Sequence, residues 1–400
     1  MSRIYFDNAA TSYPKPPAVT DAIVHFSKMC GASPGRGAYA ESRLASSELE
    51  RCRDNINSLI NGENPKHVIF TLNTTDALNL AIYGIYQSHL KSSSSRRLHM
   101  VSTVMDHNSV LRPFHALKDQ GVDVTFVEGD PQSGLVDPDE FAAALTPQTC
   151  LAAVIHGSNV TGTVQNIAAI GDRCRSKQVP LLVDAAQTIG HQPIDVQAMG
   201  IDLLAFPGHK GLLGPLGTGG LYIRPGMEPF LEPYRQGGTG SASEAPYQPI
   251  VMPDKFECGS HNTLGLIGLS EAITWIKKET PAALWRQECI QIEQMLDGLR
   301  TLEDVQLLGP QGLENRCGVF SIIVKKLTPE EVSQKLEQEH GILTRSGLHC
   351  APFAHQQMGS SCHHGATRLS LGPFLTRDNI EHALQAISEI SRTTTVVAIA

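Results

Sequence analysis

"LLVDAAQTIGHQPIDVQAMGIDLLAFPGHKG", Leu181 to Gly211, decides the fold. It carries two apolar runs, Val179–Val183 and Ile201–Phe206, which read as strands of a buried sheet. The first ends on Asp184, with Gln187 one helical turn beyond. The second runs into Pro207-Gly208-His209-Lys210-Gly211. In α/β sheets ligands gather at the carboxyl ends of the strands, so an acid and an amine just past consecutive strand ends can face one crevice. An isolated pair of this kind is most simply a salt bridge capping two strands. What else surrounds it has to decide.

Working outward, short β-rich runs alternate with helical patterns from residue 67 to about 225. The strands are expected at His67–Leu72, Leu98–Val104, Val122–Glu128, Cys150–His156, Val179–Val183, Ile201–Phe206 and Gly219–Ile223. Helices such as Asp76–Leu90 and Ile167–Lys177 fit between them, which makes the region α/β with a seven-stranded, mostly parallel sheet. After Asn262 the texture changes to long helical patterns, Leu264–Lys278 and Pro281–Thr301, followed by a strand at Gly318–Val324. Thr328-Pro329-Glu330-Glu331 starts another helix, and Thr376-Arg377-Asp378 the last. We expect a large α/β domain over residues 15–258. Residues 1–14 and 259–392 form a smaller α+β domain, and 393–400 a tail. Ser92–Ser95 reads as a surface turn.

Composition narrows the function. Over 400 residues, 41% are hydrophobic and 18% charged, ordinary globular usage for a chain long enough for two domains. A net charge of −8 without a basic block argues against nucleic acid or an anionic membrane as partner. No apolar run reaches the roughly 18 residues of a membrane helix. The nine cysteines lack framework spacing and fit reduced thiols, so a cytoplasmic location is expected.

The alternative to a salt bridge is pyridoxal 5'-phosphate. Its aldehyde needs a lysine, and its pyridine nitrogen needs a carboxylate that keeps the ring an electron sink. Its phosphate needs amides at a helix start, which Thr71-Leu72-Asn73-Thr74-Thr75-Asp76-Ala77 offers after a strand. His107, after another strand end, can lie on the ring, Gln187 can reach the ring hydroxyl, and His209 the phosphate. Each residue alone has an ordinary reading as a cap or loop residue. All of them at strand ends together favour the cofactor.

"YFDNAATS", "TLNTTDALNLA", "MDHNSV", "HGSNVTGT", "VDAAQTIGH", "GHKGLLGPLGTGGLYI", "SGLHCAP" and "TRLSLGPF" occur in the order found in class V aminotransferase-fold enzymes. Among these the chain resembles most the cysteine desulfurase and selenocysteine lyase family, over about residues 4–392. The resemblance implies a fold-type-I transferase in which Lys210 holds the cofactor as a Schiff base and Asp184 partners the pyridinium. It puts Gln187 on the ring oxygen and His107 over the ring. Thr74, Thr75 and His209 hold the phosphate, and Asn159 lies near the ring oxygen and substrate carboxylate. Ser260 matches a position that reaches the partner subunit's phosphate, which implies a homodimer. Arg368 matches the arginine that clamps the substrate carboxylate, a bidentate task suited to guanidinium. Arg345 is expected beside the substrate.

"LTRSGLHCAPFAHQQMGSSCHHGATRLSL" supplies the cysteine that names the reaction. A desulfurase needs a thiolate to take sulfur from L-cysteine as a persulfide, leaving alanine, and thiolates favour exposed sites near cations. Cys350 lies between Arg345 and His349 on one side and a proline on the other, and in the resembling family the matching cysteine is the acceptor. Its 18-residue spacing to Arg368 is like that of the Suf-type group with a compact loop. A zinc site is the competing reading of Cys350, Cys362, His363 and His364, but the spacing fits no tight ligand pair, and no metal is expected. Pro207, Tyr39 and Leu348 depart from the family's usual serine, histidine and histidine, which opens the substrate: L-selenocysteine or another class V reaction, such as transamination or epimerisation, are alternatives. A non-catalytic sulfur-relay scaffold is the alternative outside enzymes, and a sulfur-acceptor protein is a possible partner.

Overall fold

The computed structural model describes residues 3–92 and 97–393. Most of the expected Ser92–Ser95 turn and nearly all of the expected tail lie outside the described residues. Strand β1 (Ile4–Tyr5) comes first in the chain. Then follow β2 (Val68–Thr71), β3 (His99–Thr103), β4 (Asp123–Val127), β5 (Thr149–Ile155), β6 (Leu181–Asp184), β7 (Leu203–Pro207) and β8 (Gly219–Ile223). These seven make one sheet in the order β2-β8-β7-β6-β5-β3-β4. Only β8 runs against its neighbours; the other pairings are parallel. All seven expected strands are present, with ends moved by at most two residues. Val179-Pro180 falls outside β6 because proline has no amide for the ladder, though its carbonyl still accepts from Ala152.

Helices cover both faces. On one, Leu78, Ala81 and Ile85 of helix Thr74–Lys91 and Phe114 of helix Asn108–Lys118 pack on Met100, Leu151, Leu182 and Leu203. On the other, Ile56 of helix Ala40–Leu59 and Ile170 of helix Ile167–Ser176 pack on Val101, Val154, Val183 and Leu204. Each such side chain larger than alanine contributes about 1.5–3 kcal/mol by leaving water, set against the entropy of ordering the chain. Two-sided burial leaves one edge of the sheet, the carboxyl ends of its parallel strands, for polar residues.

The remaining strands are β9 (Val305–Leu307), β10 (Val319–Val324), β11 (Ile342–Leu343), β12 (Arg345–Gly347) and β13 (Ala366–Ser370). Four form an antiparallel sheet, β12-β13-β10-β9, backed by helices Pro281–Arg300, Pro329–His340 and Arg377–Thr393. Helix Pro329–His340 starts with the expected cap: Thr328 and Glu331 bond reciprocally. β1 pairs in parallel with β11, so the start of the chain returns to this second layer. Helix Thr263–Glu279 does not. Its Leu266, Leu269, Ile273 and Ile276 join Val19, Leu49 and Ile56 of helices Pro17–Met29 and Ala40–Leu59. We therefore propose that the domain boundary lies after this helix rather than at 258. No helix among the described residues is long and apolar enough to cross a membrane.

Candidate active site

The parallel strands deliver their following residues to one place. Thr74 and Thr75 after β2, His107 after β3, Asn159 after β5, Asp184 and Gln187 at the end of β6, and His209 and Lys210 after β7 line a single cavity of about 120 Å³. Asn73 and Ser109, which the sequence reading gave no role, line it too. Asp184 is buried, and one carboxylate oxygen accepts the Ala186 amide at 2.9 Å. Burial pushes its pKa up to about 6 against the pull of that amide and of Lys210. The same burial brings the Lys210 ammonium down to about 8 despite Asp184 nearby.

Helix Thr74–Lys91 begins at the cavity because Asn73 caps it, its side-chain oxygen accepting the Asp76 amide at 2.9 Å. Ala77 already bonds the Asn73 carbonyl. The amides of Thr74 and Thr75 are thus left outside the helical ladder at the positive end of the dipole. The Thr75 hydroxyl pairs with Ser109 at 2.7 Å. His107 caps the next helix: its Nδ1 accepts from the Ser109 amide at 3.1 Å, so the proton of the neutral ring sits on Nε2. Burial, with Lys210, Arg112 and Arg368 near, holds this histidine neutral, its pKa lowered to about 4. Gln187 gives one amide hydrogen to the Ala9 carbonyl at 3.0 Å.

Two buried atoms on the cavity wall have no partner, Asn159 Oδ1 and His209 Nδ1. Buried polar atoms are rarely left so, and they mark where a ligand belongs. Helix-start amides for a phosphate, a carboxylate and an amine for a ring's two ends, and unpartnered polar atoms between them fit a flat phosphorylated cofactor.

Cys350 is exposed, between β12 and helix Pro352–Gln357. His349 and Cys350 are both left-handed, φ +49° and +56°, a strained conformation for side chains that carry a Cβ. Two bonds hold the turn to the cavity. Asn159 Nδ2 donates to the His349 carbonyl at 2.6 Å, and the Asn108 amide donates to the Cys350 carbonyl at 2.8 Å. The cationic help expected from His349 is absent, because its ring is buried against His355, and burial with Arg368 keeps it neutral. Arg345 is half-exposed and tied to Asp7, as is the buried Arg368. Nothing in "YFDNAATS" marks Asp7 as a partner of residues more than 300 positions away. Ser260 does not join this cavity. It lines a separate, open one of about 880 Å³ with Gly238, Thr239 and Gly240 of the loop "RQGGTGS", Arg235 to Ser241. Tyr39 and Leu348 are exposed, and Pro207 ends β7 opposite Gly219.

A family model for aminotransferase class V matches residues 4–383. A probable cysteine desulfurase of Methanothermobacter thermautotrophicus is 33% identical over 390 residues, covering 97% of this chain and 94% of that protein. A cysteine desulfurase of Yersinia pestis is 31% identical, covering 97% and 93%. Among solved structures, apo cysteine desulfurase from Thermococcus onnurineus NA1 superposes with a TM-score of 0.90 at 32% identity, covering 98% of this chain and 95% of that one. Matched over nearly its whole length, the chain belongs to the class V aminotransferase family.

Proposed function

We propose that the protein is a pyridoxal-phosphate-dependent cysteine desulfurase. L-Cysteine and the Cys350 thiol give L-alanine and a Cys350 persulfide. One observation carries this reading beyond the family: the exposed Cys350 is bonded through its carbonyl to Asn108, next to His107 of the cavity. The bound cofactor withdraws electrons from the substrate and loosens its Cα–H bond. Lys210, with a pKa near 8, holds the cofactor and, when freed, takes and returns the proton at Cα. Neutral His107 presents its Nε2–H as a donor to the cavity. Asp184 pairs with the ring nitrogen, and the helix-start amides of Thr74 and Thr75, with His209, receive the phosphate; Pro207 offers it neither hydroxyl nor N–H. Arg368 takes the substrate carboxylate, and the Cys350 thiolate attacks the substrate sulfur, forming the S–S bond as the C–S bond breaks; Cβ keeps the electron pair of that bond and takes up a proton equivalent to the one the Cys350 thiol gave up, which makes the methyl group of alanine.

The reading includes a homodimer. Ser260 stands apart from its own chain's Lys210 cavity, as suits a residue serving a second copy.

Spectra with alanine and sulfide assays test the whole. Wild type is expected to show a visible cofactor band and release alanine from cysteine. Lys210→Ala loses the covalent attachment, seen as no mass added after borohydride. Cys350→Ala keeps the band but loses turnover of cysteine, with selenocysteine run in parallel. Normal cysteine turnover by Cys350→Ala would overturn the desulfurase assignment.

A further inference from the structure

Arg345 of β12 and Arg368 of β13 stand directly opposite each other in the antiparallel register. Like charges so placed repel. Between them lies one carboxylate. Asp7 accepts from Arg368 Nη2 at 2.9 Å and from Arg345 Nε and Nη2 at 3.1 and 3.0 Å. Its backbone cannot drift. Phe6 donates to the Leu343 carbonyl at 2.9 Å, Ser370 donates to the Phe6 carbonyl at 2.7 Å, and Asp7 itself bridges to Ser370.

Arg368 is held on a second side, where Nη1 donates to the Asn159 carbonyl at 3.2 Å. Asn159 is a wall of the cavity. Of the three nitrogens of this buried guanidinium, Nε alone has no partner. Two guanidiniums and one carboxylate leave a single positive charge, matched to one incoming carboxylate. The open donor lies on the arginine that is buried, and the half-exposed arginine is occupied by Asp7.

We propose that Asp7 is the positioning residue for substrate: it screens Arg345 from Arg368 and fixes Arg368 so that its free edge meets the carboxylate of an α-amino acid. This rests on the proposed reading of the site. It predicts that the harm of removing Asp7 comes from the opposing Arg345 as well as from the lost bond.

The test is calorimetric binding of L-alanine to the cofactor-loaded protein, with KM and kcat for cysteine alongside. Asp7→Asn should weaken alanine binding and raise KM about tenfold, the effect of one charge-assisted hydrogen bond, while kcat falls less. Asp7→Glu should recover part of the loss. Asp7→Asn combined with Arg345→Gln should bind alanine at least about threefold better than Asp7→Asn alone, since the repulsion is gone. A role confined to holding β1 in place would show no such rescue. Unchanged alanine binding in Asp7→Asn, or a double variant no better than the single, would overturn the proposal. A wild type that binds alanine but does not turn over cysteine would sink the desulfurase reading and leave this one standing.

Discussion

Burial shifts Asp184 and Lys210 in opposite senses, and each shift is a cost to the fold. In the unfolded chain Asp184 ionises at 3.8, and in the fold at about 6. A carboxyl whose folded pKa is raised is penalised when ionised. The penalty is absent below pH 3.8, grows between the two values and is complete above 6. It is on the order of 1–3 kcal/mol. Asp184→Asn keeps an oxygen for the Ala186 amide and removes the charge. The cofactor-free variant should therefore melt higher than wild type at pH 7, with the difference shrinking toward pH 4, while cysteine turnover is lost. A variant that melts lower at pH 7 would show that the charge helps the folded chain. The residue that serves the chemistry is in this case one the empty fold would rather replace.

At the scale of elements, the site is assembled by helix starts. Asn73 holds the first turn of helix Thr74–Lys91 through the Asp76 amide, and Asp76 returns a carboxylate oxygen to the Leu72 amide at 3.0 Å. Asn73→Ala should cost about 1 kcal/mol of stability in denaturant melts. It should also weaken phosphate-dependent cofactor binding, read as the concentration that restores the visible band, because the frayed amides are those of Thr74 and Thr75. Unchanged cofactor affinity would remove that helix start from the binding site. The site of the helix start was legible in the sequence because it is local: strand, hydroxyls and apolar periodicity all lie within a few residues of each other, as do Asp184 with Gln187 and His209 with Lys210. That Asn73 is the cap and that the helix begins at Thr74 rather than Asp76 shows only in the structure. The Cys350 turn was legible only in part. Its place beside the cavity could be expected from the motif, but its left-handed pair could not, since cysteine rarely adopts that conformation and histidine, though enriched there, does so in a small minority of cases. Sequence gives the proximity of His349 to Cys350 and says nothing of its burial, which is what keeps the ring neutral. Asp7 and the arginines it binds meet through pairing of β1 with β11 and a bridge from Asp7 to Ser370 of β13, contacts between distant parts of the chain.

At the scale of the molecule, the ion pair of His191 with Glu288 ties the layer that carries Lys210 to the second sheet. His191 Nδ1 meets Glu288 Oε2 at 2.7 Å, and Glu288 Oε1 accepts the Gly318 amide at 3.0 Å just before β10. The imidazole lies against the residue after Lys210: a Cβ on Gly211 would come within 2.3 Å of its ring, and a side chain on Gly190, at φ +84°, would strike the Gly211 carbonyl. These glycines let the turn that carries Lys210 and the turn after β6 touch. Glu288 raises the pKa of His191 above 6.5 despite burial, and His191 with the Gly318 amide lowers that of Glu288 below 4.5. The signs define a window. A histidine with a raised pKa stabilises fully below 6.5 and loses its contribution as pH rises through the raised value. A glutamate with a lowered pKa contributes above 4.5 and loses it as pH falls. The pair is therefore strongest between about pH 4.5 and 6.5. A double-mutant cycle of His191→Gln and Glu288→Gln should give a favourable coupling energy at pH 5.5 that falls well down by pH 9. Each single variant should cost more than the double, because it leaves one charge buried alone. Equal coupling at both pH values would mean that the contact is an uncharged hydrogen bond, and that its hold on the Lys210 turn does not depend on protonation.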